Sequence, residues 1–361
     1  MLKIVRGWFD RYFGEEEAVL LAFLLIASLV IILTLGSVLA PAITALIIAF
    51  LLQGLVDRLK QWKVPHWVAV SIATCLLLAA LGVFFLYLMP VVWQQTARLV
   101  AEIPRMLTEG QQLLLLLPEQ YPQLISEQQV QQLMASAGRE LGAIGQNVLT
   151  YSVANLPLVA GIFIYVILVP ILVFFFLKDS EQILCWITSY LPNRRPMMSQ
   201  IWHEMNDQVA NYVRGKVIEI LVVGITSYIA FIMLGLNYAL LLGLAVGLSV
   251  LIPYIGAAVV TIPVLLIGLF QWGPGTEFYW LFAVYCVIQG LDGNVLVPLL
   301  FSEAVNLHPV AIILAVLVFG GLWGFWGVFF AIPLATLFKA ILNAWPVSGD
   351  AIAVPKAESK A

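Results

Sequence analysis

What this chain can fold into is constrained first by its apolar runs. Ala18–Leu35, Val38–Val56, Trp67–Met89, Leu158–Leu177 and Val217–Leu236 each approach the roughly 20 residues that a helix needs to cross the hydrocarbon of a bilayer. Gly36, Ser37 and Pro41 are the main interruption between the first two, so the stretch from Ala18 to Val56 reads as two anchors joined by a tight turn. It is too long for the roughly 7–15-residue apolar core of a cleaved signal peptide. Beyond Asn237 apolar residues continue to Trp345, but Gly, Pro and polar residues cut them into shorter pieces. Of 361 residues 62% are hydrophobic and 10% charged, against about 25% charged in soluble domains. A soluble domain of this size cannot hide so much apolar surface, so the sensible solvent is lipid. The expected fold class is all-α: a polytopic membrane protein of about eight membrane segments, including broken or re-entrant C-terminal hairpins, with an extracytoplasmic helical insertion.

Lysine and arginine give the expected orientation, because short cytoplasmic loops collect them. Lys3, Arg6 and Arg11 precede the first run; Arg58, Lys60 and Lys63 follow the second; Lys178, Arg194, Arg195, Arg214 and Lys216 follow Leu177. With Lys339, Lys356 and Lys360 near the end, both termini are expected in the cytoplasm of a bacterial-type inner membrane. Trp62, Trp67, Trp93, Trp272, Trp280 and Trp345 flank apolar runs, as interfacial residues do. In chain order the expected parts are N-terminal membrane segments (1–90), an extracytoplasmic amphipathic helical segment (91–150), one span (151–177), cytoplasmic amphipathic helices (178–216), a core of broken helices and hairpins (217–345) and a cytoplasmic tail (346–361). Within the outside segment Val130, Met134, Ala137, Leu141, Ile144 and Val148 form a heptad-like seam. Two readings stay open for it: helix pairing between subunits, or packing on its own domain.

The candidate chemistry lies where basic residues are missing. No Lys or Arg occurs between Lys216 and Lys339, yet Glu219, Glu277, Asp292 and Glu303 do. Glu277 sits by Trp272 and Trp280 and reads as surface. Glu219, near Lys216, reads as snorkelling or paired. An acid in hydrocarbon costs about 2.5–3.5 kcal/mol on insertion scales, so such a residue usually faces a cavity or a partner. Asp292 lies in Gln289-Gly-Leu-Asp-Gly-Asn294, inside an apolar stretch. Its flanking glycines, Gly293 among them, and Pro298 beyond favour a broken helix there. Gln289, Asp292 and Asn294 are the expected polar site, with a simple packing kink as the alternative. Glu219 and Glu303 are counted with them as candidates for substrate binding or ion coupling, and Glu303 with His308 can titrate together or relay protons, or lie in a surface loop.

A weak internal echo accompanies this site. Leu251-Ile-Pro-Tyr-Ile-Gly256 is followed by Ile262-Pro263, and Trp323-Gly-Phe-Trp-Gly327 by Ile332-Pro333. Each reads as a short arm, a tip with glycine and a second arm, which makes Pro253, Gly256, Gly324, Gly327 and Pro333 expected hinge or hairpin residues. Interrupted segments at corresponding positions point to a transporter's binding site; ordinary kinked spans are the alternative. Other chemistry finds no support. Cys75, Cys185 and Cys286 have no metal-ligand spacing, and His66, His203 and His308 are scattered. No nucleotide-binding or hydrolase motif appears, so neither metal, cofactor nor enzymatic activity is expected. A formal net charge of −3 gives no hint of nucleic acid.

Several segments together carry a resemblance. Phe174-Phe-Phe-Leu-Lys-Asp179, Tyr212-Val-Arg-Gly-Lys216, Ile252-Pro-Tyr-Ile-Gly256, Asp292-Gly-Asn294 with Pro298, Asn306-Leu-His-Pro309 and Gly324 to Pro333 occur in the order found in the autoinducer-2 exporter family. The chain resembles that family, and within it the PerM-like permeases. The resemblance adds Asn306 to the candidate site residues. It implies a multi-pass transporter, with some members linked to export of a small quorum-sensing signal and others to sodium–proton exchange. It also implies a homo-oligomer, with five subunits as one form. Three functions therefore compete: a transporter or exporter of a small polar solute, a sodium (cation)–proton antiporter, and a membrane scaffold without transport.

Overall fold

The computed structural model describes residues 16–120, 156–192, 194–301 and 307–345, and the single positions 128, 132, 136 and 138. These residues are helical, with no strand among them. The elements are α1 (Glu16–Gln61), α2 (His66–Val83), a π-helical turn π1 (Phe84–Leu88), α3 (Met89–Gln120), α4 (Leu156–Lys178), α5 (Ser180–Ser189), α6 (Pro196–Leu234), α7 (Ala239–Ser249), α8 (Ile255–Trp272), α9 (Thr276–Leu291), a second π turn π2 (Asp292–Leu296), α10 (Val297–Phe301), α11 (Pro309–Phe329) and α12 (Ala331–Ala344). Eight helical stretches among the described residues are long and apolar enough to cross a membrane: Glu16–Gly36, Val38–Gln61, His66–Gly110, Gly161–Lys178, Pro196–Leu234, Ile255–Trp272, Thr276–Phe301 and Pro309–Phe329. The eight expected segments are present, and large apolar side chains such as Leu86, Met233 and Leu299 are exposed on them. An exposed apolar surface of that extent is suited to lipid rather than water.

Two local expectations need correction. The tight turn at Gly36–Pro41 is absent, because α1 stays helical across it. Pro41 removes one backbone donor, which a membrane helix tolerates. Gly36 serves packing instead: a Cβ there would lie 2.6 Å from the Trp323 indole nitrogen. Nor is the backbone unwound at Asp292. The helix continues through π2, with the Val297 N–H bonded to the Asp292 carbonyl. A second π turn, π1, ends two residues before Pro90, as π2 ends two residues before Pro298. A proline ring clashes with the carbonyl four residues back. Widening the preceding turn relieves that clash without breaking the helix. The seam Val130–Val148 lies outside the described residues, as do Glu303, Asn306 and the tail 346–361.

The chain forms two compact units. The first comprises Met1–Ala40, Glu181–Ala210 and Val305–Ala361. In it Ala18, Met197 and Ile201 pack with Leu337 and Ile341, and the Glu17 carboxylate accepts the Met198 N–H at 2.6 Å. That carboxylate satisfies a first-turn donor of α6, where helices leave N–H groups unpaired. Pro196 opens α6 at the position where a missing N–H costs nothing. The α11–α12 hairpin bends at Gly324 (φ 59°), in the left-handed region that favours glycine. A Cβ on Gly327 would run into the Phe319 carbonyl.

The second unit comprises Pro41–Ser180 and Asn211–Ala304. One core joins α1, α2 and α4 through Ala45, Ala49, Val56, Ala69, Ala73 and Val173. At one end of it a His66 ring nitrogen meets the Lys178 carbonyl at 3.2 Å, so the basic turn Arg58–Lys63 and Lys178 share that end. The other core joins α6, α7, α8 and α9 through residues such as Phe231, Val246, Val264, Leu281 and Tyr285. Helix α7, at 11 residues, reaches only about 16 Å, half the hydrocarbon thickness. It turns back at 250–254 into α8. The Gln271 side chain on α8 accepts the Asn237 N–H at 2.8 Å and donates to the Gly235 carbonyl at 2.7 Å. Thus the start of α7 and the end of α8 are tied together, and the two helices form a hairpin. At its tip a Cβ on Gly256 would run into the Ser249 carbonyl, the counterpart of Gly327 on Phe319.

Candidate functional site

The polar groups of the second unit start from one face of α6. Tyr212, Lys216 and Glu219 stand at i, i+4 and i+7, a spacing that aligns them on one side of a helix. All three are buried, at 3%, 4% and 2% exposure. Lys216 Nζ donates to Glu219 Oε2 at 2.7 Å and to the Val250 carbonyl at 2.7 Å. The ammonium also lies 5.3 Å from the centre of the Phe301 ring, whose ring is 5.8 Å from that of Tyr212. Gly215 makes room for it: a Cβ there would be 2.8 Å from the Phe301 ring. Val250 follows the last residue of α7, where carbonyls lack helical partners and a cation is favoured. Lys216 therefore completes the end of α7 at the hairpin tip. Close approach of α6 and α7 makes this possible, since a Cβ on Gly247 would sit 2.8 Å from the Ile220 carbonyl oxygen.

Asp292 joins this group from π2. It is within electrostatic reach of both Lys216 and Glu219, and its Oδ1 is buried with no hydrogen-bond partner among the described residues. The ammonium is bonded to Glu219, and Asp292 adds a second carboxylate to its surroundings. Fully ionised, the three groups sum to −1, a charge that a low-dielectric interior leaves expensive unless a proton or cation compensates it.

The remaining expected residues separate. Gln289 donates to the Tyr285 hydroxyl at 3.2 Å, which lies 3.1 Å from the Thr261 hydroxyl; this polar chain links α9 to α8. Asn294 is exposed and donates to the Gly290 carbonyl at 2.8 Å, so its amide is spent where π2 changes the hydrogen-bond register. Pro253 and Gly256 form the α7–α8 tip, Gly293 lies in π2 and Pro298 in α10. Gly324, Gly327 and Pro333 belong to the first unit. Lys216, Tyr212, Val250 and Phe301 were not singled out as site residues. Lys216 and Tyr212 lay in one of the recurring segments, but nothing in sequence ties them to Asp292.

The second unit also has a cavity of about 150 Å³, lined by Glu102, Arg105, Glu109, Asn237, Tyr238 and Gln271 among others. Its charges find partners within it. Arg105 Nε donates to Glu109 at 2.7 Å. Burial, and then a hydrogen bond with Glu102, push the Tyr238 hydroxyl up to about 12, so it stays a donor at neutral pH. With its groups spent on one another, this cavity is the weaker candidate.

Comparison with known proteins gives matches along nearly the whole chain. The family model for the AI-2E family transporter matches residues 18–347. The candidate permease PerM of Escherichia coli (strain K12) is 46% identical over 346 residues, covering 96% of this chain and 98% of its own. The candidate transport protein YueF of Bacillus subtilis (strain 168) is 27% identical over 311 residues, covering 83% and 82%. Its counterpart sll0063 of Synechocystis is 28% identical over 311 residues, covering 84% and 76%. With eight helical stretches fit to cross a bilayer and a match to the family along nearly its full length, the chain is a multi-span membrane protein that belongs to the AI-2E transporter family.

Proposed function

We propose that this protein carries a small polar solute across the bacterial inner membrane, and that the buried group Lys216–Glu219–Asp292 is its site. The observation that carries the reading is the Asp292 Oδ1, buried and without a hydrogen-bond partner among the described residues, while the nearby Lys216–Glu219 pair is bonded to itself. A polar group left so inside an apolar segment is costly unless a ligand completes it. A small quorum-sensing signal is a candidate solute from the resemblance to the exporter family. A second reading, cation–proton exchange, is favoured by the excess carboxylate: one unit of negative charge is what a sodium ion or a proton would neutralise.

The test is flux through purified protein in liposomes, with and without imposed sodium and proton gradients. Asp292→Ala should abolish flux with insertion intact. Asp292→Asn separates the readings, since it keeps the shape but removes the charge: retained flux supports a neutral solute, lost flux supports ion coupling. Wild-type flux in Asp292→Ala would overturn the site. Absence of any flux in the native protein would leave the scaffold reading.

For sidedness we propose Arg58–Lys63, Lys178 and both termini in the cytoplasm, and a homo-oligomer built on the 91–150 segment. Because α1 has no turn at Gly36–Pro41, the N-terminal placement rests on Lys3, Arg6 and Arg11. Cysteines placed singly at Lys3 and Gln128 and exposed to an impermeant reagent in intact cells should label at 128 and stay protected at 3.

A further inference from the structure

We propose that the turn closing α1, with Arg58, Lys60 and Lys63, is a binding site for the headgroup of an anionic phospholipid. It is separate from the site proposed above and does not depend on it. The backbone of the turn is firmly made. The Lys63 N–H bonds to the Lys60 carbonyl at 2.9 Å and the Val64 N–H to the Leu59 carbonyl at 3.2 Å, the paired bonds with which a helix commonly ends. Leu59 and Val64 pack against the core of α1, α2 and α4, the apolar contact that accompanies such an ending. The ending also needs one residue in the left-handed conformation, and glycine is its usual occupant. Here it is Lys63, at φ 62°. A side chain in this region crowds the backbone, so the chain holds a lysine where glycine would sit without strain. Strain kept at an exposed position is a sign that the side chain is used.

The charge around the turn is unspent. Arg58, Lys60 and Lys63 are exposed and make no ion pair among the described residues. Of the acids at this end, Asp57 accepts a hydrogen bond from the Gln53 amide at 2.9 Å, and Asp179 lies 3.9 Å from Lys178. Lys178 belongs to the same end, because its carbonyl meets the His66 ring, and the first turn of α2 brings no acid. Placement names the occupant. The turn joins two stretches fit to cross a bilayer, Val38–Gln61 and His66–Gly110, so it lies at the level of the lipid headgroups. Trp62 and Trp67, 77% and 68% exposed, stand on either side of Lys63, and indole rings settle at that level. A lipid phosphodiester supplies the missing negative charge and accepts hydrogen bonds from guanidinium and ammonium groups. Basic clusters directly beside a span are drawn to anionic lipid in this way. A free phosphate ion would use the charges and leave the tryptophans without a role.

Native mass spectrometry of the full-length protein in detergent, with equal amounts of dioleoylphosphatidylglycerol and dioleoylphosphatidylcholine, reads the preference directly. The parent should retain the anionic lipid in excess. Lys63→Gly should lower that preference about fivefold, the worth of one basic residue near an anionic surface. Its midpoint of thermal unfolding in lipid-free detergent should hold or rise, because glycine relieves the strained turn. Arg58→Gln with Lys60→Gln and Lys63→Gln should abolish the preference. Arg98→Gln with Arg105→Gln, which removes two positive charges from α3, should keep it. Equal retention of the two lipids by the parent, a preference that survives the triple variant, or its loss in the α3 variant would overturn the headgroup site. So would a fall in the midpoint of Lys63→Gly, which would assign that lysine to the fold. Displacement of the bound lipid by inorganic phosphate at constant ionic strength would overturn the choice of occupant.

Discussion

Lys216–Glu219 and Arg105–Glu109 are both ion pairs within one helix, each closed at 2.7 Å. They belong to the same unit, and each lies beside a second acid, Asp292 in one case and Glu102 in the other. What separates them is burial. The side chains of the first pair are 5% and 3% exposed, those of the second 75% and 40%. In water a charge can exchange its partner for solvent at little cost, so an exposed pair is nearly neutral to stability. Inside, Lys216 and Glu219 depend on each other, and the Asp292 Oδ1 has no hydrogen-bond partner among the described residues. The same residue types therefore give a passive surface decoration at one place and a charge-sensitive centre at the other.

The largest way to break this contrast is to remove one member of the buried pair. Lys216→Met leaves Glu219 as a buried carboxylate with its cation gone, which typically costs about 3–5 kcal/mol. Adding Glu219→Gln should recover most of that loss, because a neutral pair of similar volume needs no counter-charge. Thermal unfolding in detergent checks both. Equal midpoints for the single and the double variant would mean that the pair is solvated after all.

A smaller effect is expected from the packing that lets the pair form. Gly247→Ala puts a methyl group against the Ile220 carbonyl and the Gly224 backbone. Overpacking of this kind costs about 1–3 kcal/mol. Thermal unfolding in detergent should show it as a lower midpoint. An unchanged midpoint would mean that α6 and α7 part at this contact without cost.

These experiments bear on residues that the sequence reveals unevenly. The spans were legible because lipid demands long stretches without charge, and no other solvent leaves that pattern. Gly256 and Gly327 each lie against a carbonyl seven or eight residues back, of Ser249 and Phe319, where only glycine fits so close. Asp292 stood out as an acid in an apolar run. Its neighbours did not, because α6 and π2 lie far apart in the chain. Gly36 and Pro41 misled for a different reason. In water that pair marks a turn, whereas here the glycine receives an indole ring and the proline costs one bond in a helix held by lipid. Gly293 and Pro298 misled in the same way, since a π turn absorbed the strain that was expected to unwind the backbone.

The smallest effect should come from the exposed pair, and its smallness is the point. Arg105→Ala removes the guanidinium that Glu109 holds at 2.7 Å, on a face where water replaces it. Glu102 keeps its bond to the Tyr238 hydroxyl, and Glu109 turns to solvent. The unfolding midpoint should stay within experimental error of the parent. Flux should change only through capture of the solute, visible as a shift in its half-saturating concentration with the maximal rate intact. That shift, if present, should shrink as ionic strength rises, because salt screens exposed charges and leaves buried ones alone. A fall in maximal rate comparable to that of Asp292→Ala would reverse the comparison and move the functional centre to the cavity between α3 and the α6–α7 turn.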